Sequence, residues 1–256
     1  EALINFIALQ GWHPGEGTEE EMFSLQDLLT KFNLEKVHTA GAIFDPDKLD
    51  WFNFQWQKKH HCEKLNKIAA EIDPRFTASL NQKNETVYSF SSPENQNKFI
   101  KKRGELLFEL CKTHLPAEYI SDNAKLLKAL VTVEEKILKK PSDTAQYIQF
   151  YFTPKDFPIE LLLNAKMKVD QSTALAALEK SRELLAGHND FDRIESIQPP
   201  LLDLIQKLGL KNGQVLWPIR VVLSGEEFSP GTFELIWVLG RDETISRIDN
   251  ALTKLK

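Results

Sequence analysis

Apolar residues recur at helical spacing in the first twelve positions, EALINFIALQGW. Leu3 pairs with Ile7 and Ile4 with Ala8 one turn apart, and the run stops at Gly11, a residue suited to the position after a helix. A first helix is predicted there. HPGEGTEEEM, residues 13–22, is turn-rich. Beyond it Ser24, followed three residues later by Asp27, has the form of a capping box opening LQDLLTKF, with Asn33 as a stop. Asp45-Pro46 repeats the logic as an N-cap and a proline at the first helical position, where its absent N–H costs nothing, and launches DKLDWFNFQWQKKHH with Trp51 and Trp56. From Asp73 to Pro93 the chain is rich in Asn, Ser and Thr and poor in aliphatics, which reads as a loop or an inserted excursion.

Two longer segments, ENQNKFIKKRGELLFELCKTHL and SDNAKLLKALVTVEEKILKK, have amphipathic helical periodicity, with Pro116 and Pro141 as outer limits. Ser142 and Asp143 are placed to cap TAQYIQFYF, and IELLLNAK, STALAALEKSRELLAG and PPLLDLIQKLGL continue the helical run, the second ending at Gly187. No strand runs joined by Asn-Gly or Asp-Gly turns and no repeat of 20–50 residues are seen. The pattern therefore predicts an all-α chain whose core is built by helix packing.

Composition bounds what such a chain can do. With 42% hydrophobic and 27% charged residues, 256 residues make an ordinary globular protein of one large or two to three small domains. No stretch approaches the roughly 18–20 uncharged apolar residues of a membrane span, so no membrane partner is expected. The sequence opens Glu-Ala-Leu without an initiator Met, which reads as a processed chain or a piece of something longer. Two cysteines, Cys62 and Cys111, make no disulfide framework and suit a reducing compartment. A net charge of −5 argues against general affinity for nucleic acid, while leaving room for a local basic patch.

Motifs of catalysis are not found: no phosphate-binding Gly-x-x-x-x-Gly-Lys-Ser loop, no His-Glu-x-x-His and no Gly-x-Ser-x-Gly elbow. His60, His61 and Cys62 are adjacent, but neighbouring helical residues point about 100° apart and cannot converge on one ion. No catalytic residue and no metal site is expected.

Information lies in the order of four blocks. EALINFIALQGW, FSLQDLLTKFNLEKV, GAIFDPDKLDWFN and, much later, GQVLWPIRVVLSG with SPGTFELIWVLGRDETISRI resemble in sequence and order the carboxy-terminal half of bacterial-type glutamyl-tRNA synthetases. That family carries a Pro-Glu-Ala-Leu-x-Asn-Tyr block ending in Leu-Gly-Trp, a Phe-Asp-x-x-Lys-Leu-x-Trp-x-Asn block, and Gly-x-Val-x-x-Pro-Leu-Arg with Ser/Thr-Pro-Gly near its end. Here these read Glu1 to Trp12, Phe44 to Asn53 and Gly213 to Gly231; residues 55–135 depart from the pattern. The resemblance implies a parent class I enzyme that joins glutamate to its tRNA with ATP and Mg2+. Its catalytic domain and signature motifs would lie upstream and are not in this chain. For this chain it implies a helical stem-contact domain at 1–62, a first helical anticodon-binding subdomain at 63–158 with a divergent insertion near 73–95, and a C-terminal one at 159–256. No cofactor is expected in the chain itself. The expected partner is the tRNA for glutamate, the glutamine tRNA being left open, and the parent is expected to be a cytoplasmic monomer. Composition and periodicity alone equally allow an all-helical protein-interaction module with no RNA role.

Single residues acquire roles on the same basis. Trp51 reads as a core or domain-interface aromatic, whereas Lys48, Asn53 and Lys58 are candidates for contact with the tRNA stem backbone. Lys125, Lys128, Lys136, Lys139 and Lys140 form the densest basic stretch, either a solvated face or an RNA contact. In some members of that family an Arg in this region reads the third anticodon base; here the position falls near Lys136 or Ile137 and no Arg stands there, which leaves the cognate range open. Arg220, within an apolar run where Val215, Ile219 and Val222 make a helical stripe, is either half of a salt bridge to Glu226, Glu227 or Glu234 or, as the resemblance implies, the reader of an anticodon base. Ser229 suits an N-cap, Pro230 the first helical position and Gly231 close backbone approach; Ser229 and Thr232 match the family's anticodon-contact positions, at which members vary, and Ser229, Pro230, Gly231 and Thr232 are together the candidates for that contact.

Overall fold

A computed structural model describes residues 1–15, 19–38, 44–81 and 86–255. Parts of the predicted loop at 13–22 (residues 16–18), of the third block (41–43) and of the excursion after Asp73 (82–85) lie outside the described residues. The chain folds as two compact units, Glu1–Phe99 and Ile100–Lys256.

In the first unit, α1 (Ala2–Leu9) and α2 (Leu25–Lys31) precede the long α3 (Pro46–Ile72). The predicted caps are present. The Ser24 hydroxyl accepts from the Asp27 amide at 3.1 Å, and the Asp27 carboxylate accepts from the Ser24 amide at 2.8 Å. Asp45 accepts from the amides of Asp47 and Lys48 at 3.0 and 3.2 Å with Pro46 in the first turn, so two orphan N–H groups are satisfied before the helix begins. α3 buries Phe52, Trp56, Leu65 and Ala69 along one face and runs unbroken through residue 62. The polypeptide from Glu21 to Phe23 is clipped beside α1 by Asn5, a fully buried amide. Asn5 donates to the Glu21 carbonyl (2.9 Å) and accepts from the Phe23 amide (2.9 Å) and the Trp56 indole (3.3 Å).

The segment after Asp73 is not a plain loop. It forms an antiparallel hairpin of β1 (Thr77–Leu80) and β2 (Thr86–Ser89), with Thr77 opposite Ser89 and Leu80 opposite Thr86, which corrects the expectation that no strands pair. All four β1 residues are exposed, so neither face alternates and the usual sequence signal is lacking. What holds the hairpin is aromatic: Phe99 lies 4.7 Å from Tyr88 and 4.9 Å from Phe90, ring to ring. Asp73, only 3% exposed, anchors its base by accepting from the Ser91 amide (2.7 Å) and hydroxyl (2.5 Å), the Asn95 amide group (3.2 Å) and the Arg75 amide (3.0 Å).

The second unit is helical throughout its described residues. α4 (Pro93–Cys111) leads into it, followed by α5 (Ala117–Ser121), α6 (Asn123–Thr132), α7 (Glu134–Lys139), α8 (Thr144–Phe152), α9 (Gln171–Gly187), α10 (Ile194–Lys207), α11 (Asn212–Ser224) and α12 (Thr232–Leu255). Its core joins Leu130, Ile137, Ile148, Leu178, Leu201, Ile219 and Leu235, all fully buried. Several boundaries differ from those predicted. The single helix expected over 121–140 breaks at Val133 (φ −124°, ψ 21°), a buried side chain whose packing overrides local propensity. IELLLNAK makes only a 3-10 turn at Ile159–Leu162. Asp143 makes no capping bond to α8; its carboxylate pairs with Lys140 at 2.8 Å and accepts from the Ser142 hydroxyl at 3.0 Å. Pro199 and Pro200 lie inside α10 rather than at its front. α12 is two helical segments joined at Gly240, whose φ of 72° places it in the region glycine alone enters freely.

Candidate nucleic-acid interface

α11 supplies the framework. Val215 and Ile219 are fully buried and Val222 nearly so, as the predicted stripe requires, and Pro218 is buried within the same helix. Trp217 and Arg220, three residues apart and therefore on one helix face, are half-buried beside that stripe. The Trp217 indole donates to the Leu161 carbonyl at 3.2 Å, which fixes the ring. Over that ring, 4.8 Å from its centre, lies the Arg220 guanidinium, a geometry in which the cation meets the negative face of the indole.

Arg220 does not form the salt bridge that the sequence also allowed. Glu226 pairs with Lys155 at 2.7 Å, Glu227 offers Arg220 its backbone carbonyl at 2.9 Å, and among the described residues no carboxylate pairs with Arg220. Its other bond goes to the Ser229 hydroxyl at 3.4 Å. An arginine has five N–H donors, so most of the fork stays available. Burial pushes the guanidinium pKa down and the Glu227 charge opposes that shift; arginine stays charged regardless.

The loop that meets Arg220 is tied at its root. Gly225 ends α11 in the left-handed conformation (φ 67°), and a Cβ there would stand 2.8 Å from the Lys155 carbonyl oxygen. The Ser224 hydroxyl accepts from the Glu226 amide at 3.2 Å. At the loop's tip Phe228 is 79% exposed, far more than burial-driven packing would leave an aromatic ring.

Of the four positions after it, Ser229 and Pro230 differ from expectation. α12 begins at Thr232, and its first backbone bond runs from the Leu235 amide to the Gly231 carbonyl. Gly231 is therefore the capping residue, Pro230 precedes the helix, and Ser229 serves Arg220 instead of the helix end. The Glu234 carboxylate occupies the space at Gly231, 2.3 Å from where a Cβ would be, so an anion already lies at this helix N-terminus. Thr232 is 5% exposed and donates to the Leu216 carbonyl at 2.9 Å, a bond that ties α12 to α11.

The remaining candidates are scattered. Lys136 is exposed on α7 with its ammonium 5.4 Å from the Tyr147 ring centre, and no described contact joins it to Arg220. Lys125 and Lys128 lie over Phe152 and Trp237, and burial lowers the pKa of both. In the first unit, Lys48 pairs with Glu21 and lies 4.8 Å from the Trp51 ring. Asn53 is exposed and Lys58 half-buried. Because α3 is continuous, the steps of five residues between Lys48, Asn53 and Lys58 turn by about 140° each, so the three do not share a face. Trp51 is 38% exposed, whereas Trp56, at 3%, is the core aromatic of α3. Sequence reasoning did not single out Trp217 or Phe228, although the three-residue spacing of Trp217 and Arg220 was a usable signal.

The model of the anticodon binding domain family matches residues 106–252, more than half of the chain and nearly all of its second unit. The chain belongs to the anticodon-binding domain family. Over its whole length this anticodon-binding chain is 30% identical to the glutamate–tRNA ligase of Clostridium tetani and 31% identical to that of Clostridium kluyveri, and spans 43% of each. It also superposes on the crystal structure of a glutamate tRNA ligase from Elizabethkingia meningosepticum in complex with its amino acid, with a TM-score of 0.62, 25% identity, and coverage of 100% of this chain and 41% of that one. A second such enzyme, from Elizabethkingia anophelis, gives a TM-score of 0.58 at 26% identity over 99% of this chain and 40% of that one. The part matched in these relatives is their non-catalytic carboxy-terminal part. The chain thus spans less than half the length of the curated relatives it matches, and among its described residues no helix is long and apolar enough to cross a membrane.

Proposed function

We propose that this chain is the tRNA-binding part of a glutamate–tRNA ligase. It recognises the anticodon of the glutamate tRNA and places that tRNA for ATP- and Mg2+-dependent aminoacylation by a catalytic domain upstream. The observation that carries this reading is Arg220: a cation stacked on Trp217, free of any carboxylate partner among the described residues, with donors to spare beside an exposed Phe228. A planar guanidinium in that state can stack on a base and donate in its plane. Ser229, Pro230 and Gly231 line the same loop and are assigned to the anticodon contact. Thr232 contributes by orienting α12, and Lys136 is assigned to a separate anticodon base. In the first unit stem contact is assigned to α3, through Asn53 and Lys58, and through Lys48 once it exchanges Glu21 for a phosphate. The functional division is residues 1–62 for the stem, 63–158 and 159–256 for the two anticodon-binding subdomains, in a cytoplasmic monomer.

The test is titration of the chain with unmodified tRNA for glutamate at fixed salt. Arg220→Ala is expected to cost about 1–3 kcal/mol of binding free energy, about 5- to 150-fold in Kd. Replacing the anticodon bases is expected to cost the unaltered chain a similar amount. Equal affinity of Arg220→Ala and the unaltered chain would remove the proposed role of Arg220, and indifference to the anticodon would remove the reading as a whole.

A further inference from the structure

The turn Asn164–Val169 is built against α11. Asn164 and Val169 exchange both backbone bonds at 2.9 Å, the Asn164 side chain accepts from the Met167 amide at 3.1 Å, and Lys168 has a φ of 56°, a conformation that residues other than glycine rarely adopt. α11 supports it from two positions. Gln214 accepts from the Lys211 amide at 3.0 Å through its side-chain oxygen and donates to the Lys168 carbonyl at 3.1 Å. Gly213 lets Met167 approach so closely that a Cβ there would stand 3.0 Å from the Met167 sulfur. The turn is a preset feature of the α11 surface.

What this scaffold presents is charge without partners. Lys166 and Lys168 are both exposed, as are Lys207 and Lys211 beside them in the chain leading into α11. Among the described residues none of the four pairs with a carboxylate, whereas Lys140, Lys155, Lys180 and Lys254 of the same unit all do. Lys168 and Lys211 are joined through Gln214 at the first turn of the helix whose face carries Trp217 and Arg220, in a chain whose net charge is −5. A positive track beside aromatic and guanidinium stacking faces is the general design of surfaces that bind single-stranded nucleic acid. From Gly213 to Arg220, seven residues at 1.5 Å each, is about 10 Å along the axis, and seven residues return close to the same side of the helix.

We infer that the Lys166–Lys168 turn, set by Gln214 and Gly213, is a phosphodiester-backbone clamp that grips the RNA strand on the same α11 face as the base held at Arg220. The inference rests on the anticodon reading proposed above. The clamp carries affinity without sequence information, since lysines neutralise phosphates irrespective of base.

Binding of the chain to unmodified tRNA for glutamate, to its anticodon-substituted form and to a scrambled RNA of equal length, each over a salt series, separates the two ideas. Lys166→Ala/Lys168→Ala is expected to make the log–log salt slope shallower by about 1.4, two phosphate contacts at about 0.7 each for a single strand. The affinity ratio between native and substituted anticodons should stay unchanged. Lys180→Ala, which removes a lysine already paired to Glu183, is expected to leave both unchanged. A double variant with the parental slope, its fold verified by circular dichroism, overturns the clamp while the anticodon reading stands. An unchanged slope on native tRNA but a reduced one on scrambled RNA also overturns it, as the lysines would then serve non-specific binding only. Loss of anticodon discrimination in the unaltered chain, or no binding by it at the lowest salt, overturns the reading and the clamp with it.

Discussion

Two arginines of the second unit show how little a cation in an apolar stretch says by itself. Arg247, 6% exposed, uses every donor: Nε and Nη2 to Glu243 (2.8 and 2.7 Å), Nη1 to the carbonyls of Phe150 (2.7 Å) and Leu223 (2.5 Å), and Nη2 to that of Tyr151 (3.4 Å). Those carbonyls close α8 and α11, whose last four carbonyls have no partner inside their own helix, and a cation at two negative helix ends is favourably placed. Arg220, half-buried, has two bonds, an indole beneath it and no acid. The contrast is between a guanidinium consumed by the fold and one that keeps donors to spare, a difference that neither charge nor an apolar neighbourhood reveals.

The contrast would break first at Arg247. Arg247→Ala leaves Glu243 and three buried carbonyls without their donor, and urea unfolding is expected to show a loss of about 3–5 kcal/mol; a loss under about 1 kcal/mol would mean that the site is not structural. In the first unit Asn5→Ala strands the Phe23 amide and the Trp56 indole, at about 2–4 kcal/mol for two buried unsatisfied donors. Its readout is loss of the Trp56 near-UV signal at lower urea. Arg220→Ala should move the other way, weakening tRNA binding as stated above while changing folding stability by less than about 1 kcal/mol, because it removes two bonds to a surface loop and one half-buried cation–π contact. A Tm drop as large as that of Arg247→Ala would erase the distinction between the two arginines.

Acid provides the smallest and most graded test. The Thr173 amide, with the Thr173 and Ser172 hydroxyls, holds the Asp170 carboxyl at about 2, and the Ser91 hydroxyl and amide hold Asp73 far below the ordinary carboxylate range. Both pKa values are lower folded than unfolded. Their stabilisation is therefore complete above the unfolded value of about 3.9 and drains away as pH falls through the folded one. Urea midpoints should decline from about pH 5 toward pH 2. Asp170→Asn should flatten part of that decline, whereas an unchanged slope would show that the α9 cap carries no linked stability. Between pH 5 and 7 neither carboxylate changes protonation, so the Arg247 and Arg220 variants can be compared there without this contribution.

Local chemistry was legible at most places where one short stretch contained all its partners, Asp143 being an exception because the neighbouring Lys140 takes the carboxylate read as a cap. The Ser24–Asp27 box, the Asp45-Pro46 start of α3, the end of α9 at Gly187 and the stripe Val215, Ile219, Val222 depend on residues within a turn or two of each other. The four ordered blocks also sufficed to recognise the family. Where partners came from afar, the reading failed in identifiable ways. The hairpin at Thr77–Ser89 owes its stability to Phe99 and Asp73 rather than to alternation. Ser229 looked like a helix cap because its competitor, the Arg220 side chain, is nine residues away.

By itself the sequence determined the helical class, the caps and the identity of Arg220 as the residue to examine, because periodicity, capping and motif order are short-range or one-dimensional properties. Only the tertiary structure decided which arginine is spent on the fold and which keeps donors to spare, and that a preset lysine turn lies at the far end of the same α11 face. The physical reason is that hydrogen-bond satisfaction is a property of space: Phe150 and Leu223 reach Arg247 from 97 and 24 residues away, and Lys168 meets Gln214 across 46, separations over which no pattern along the chain carries the information.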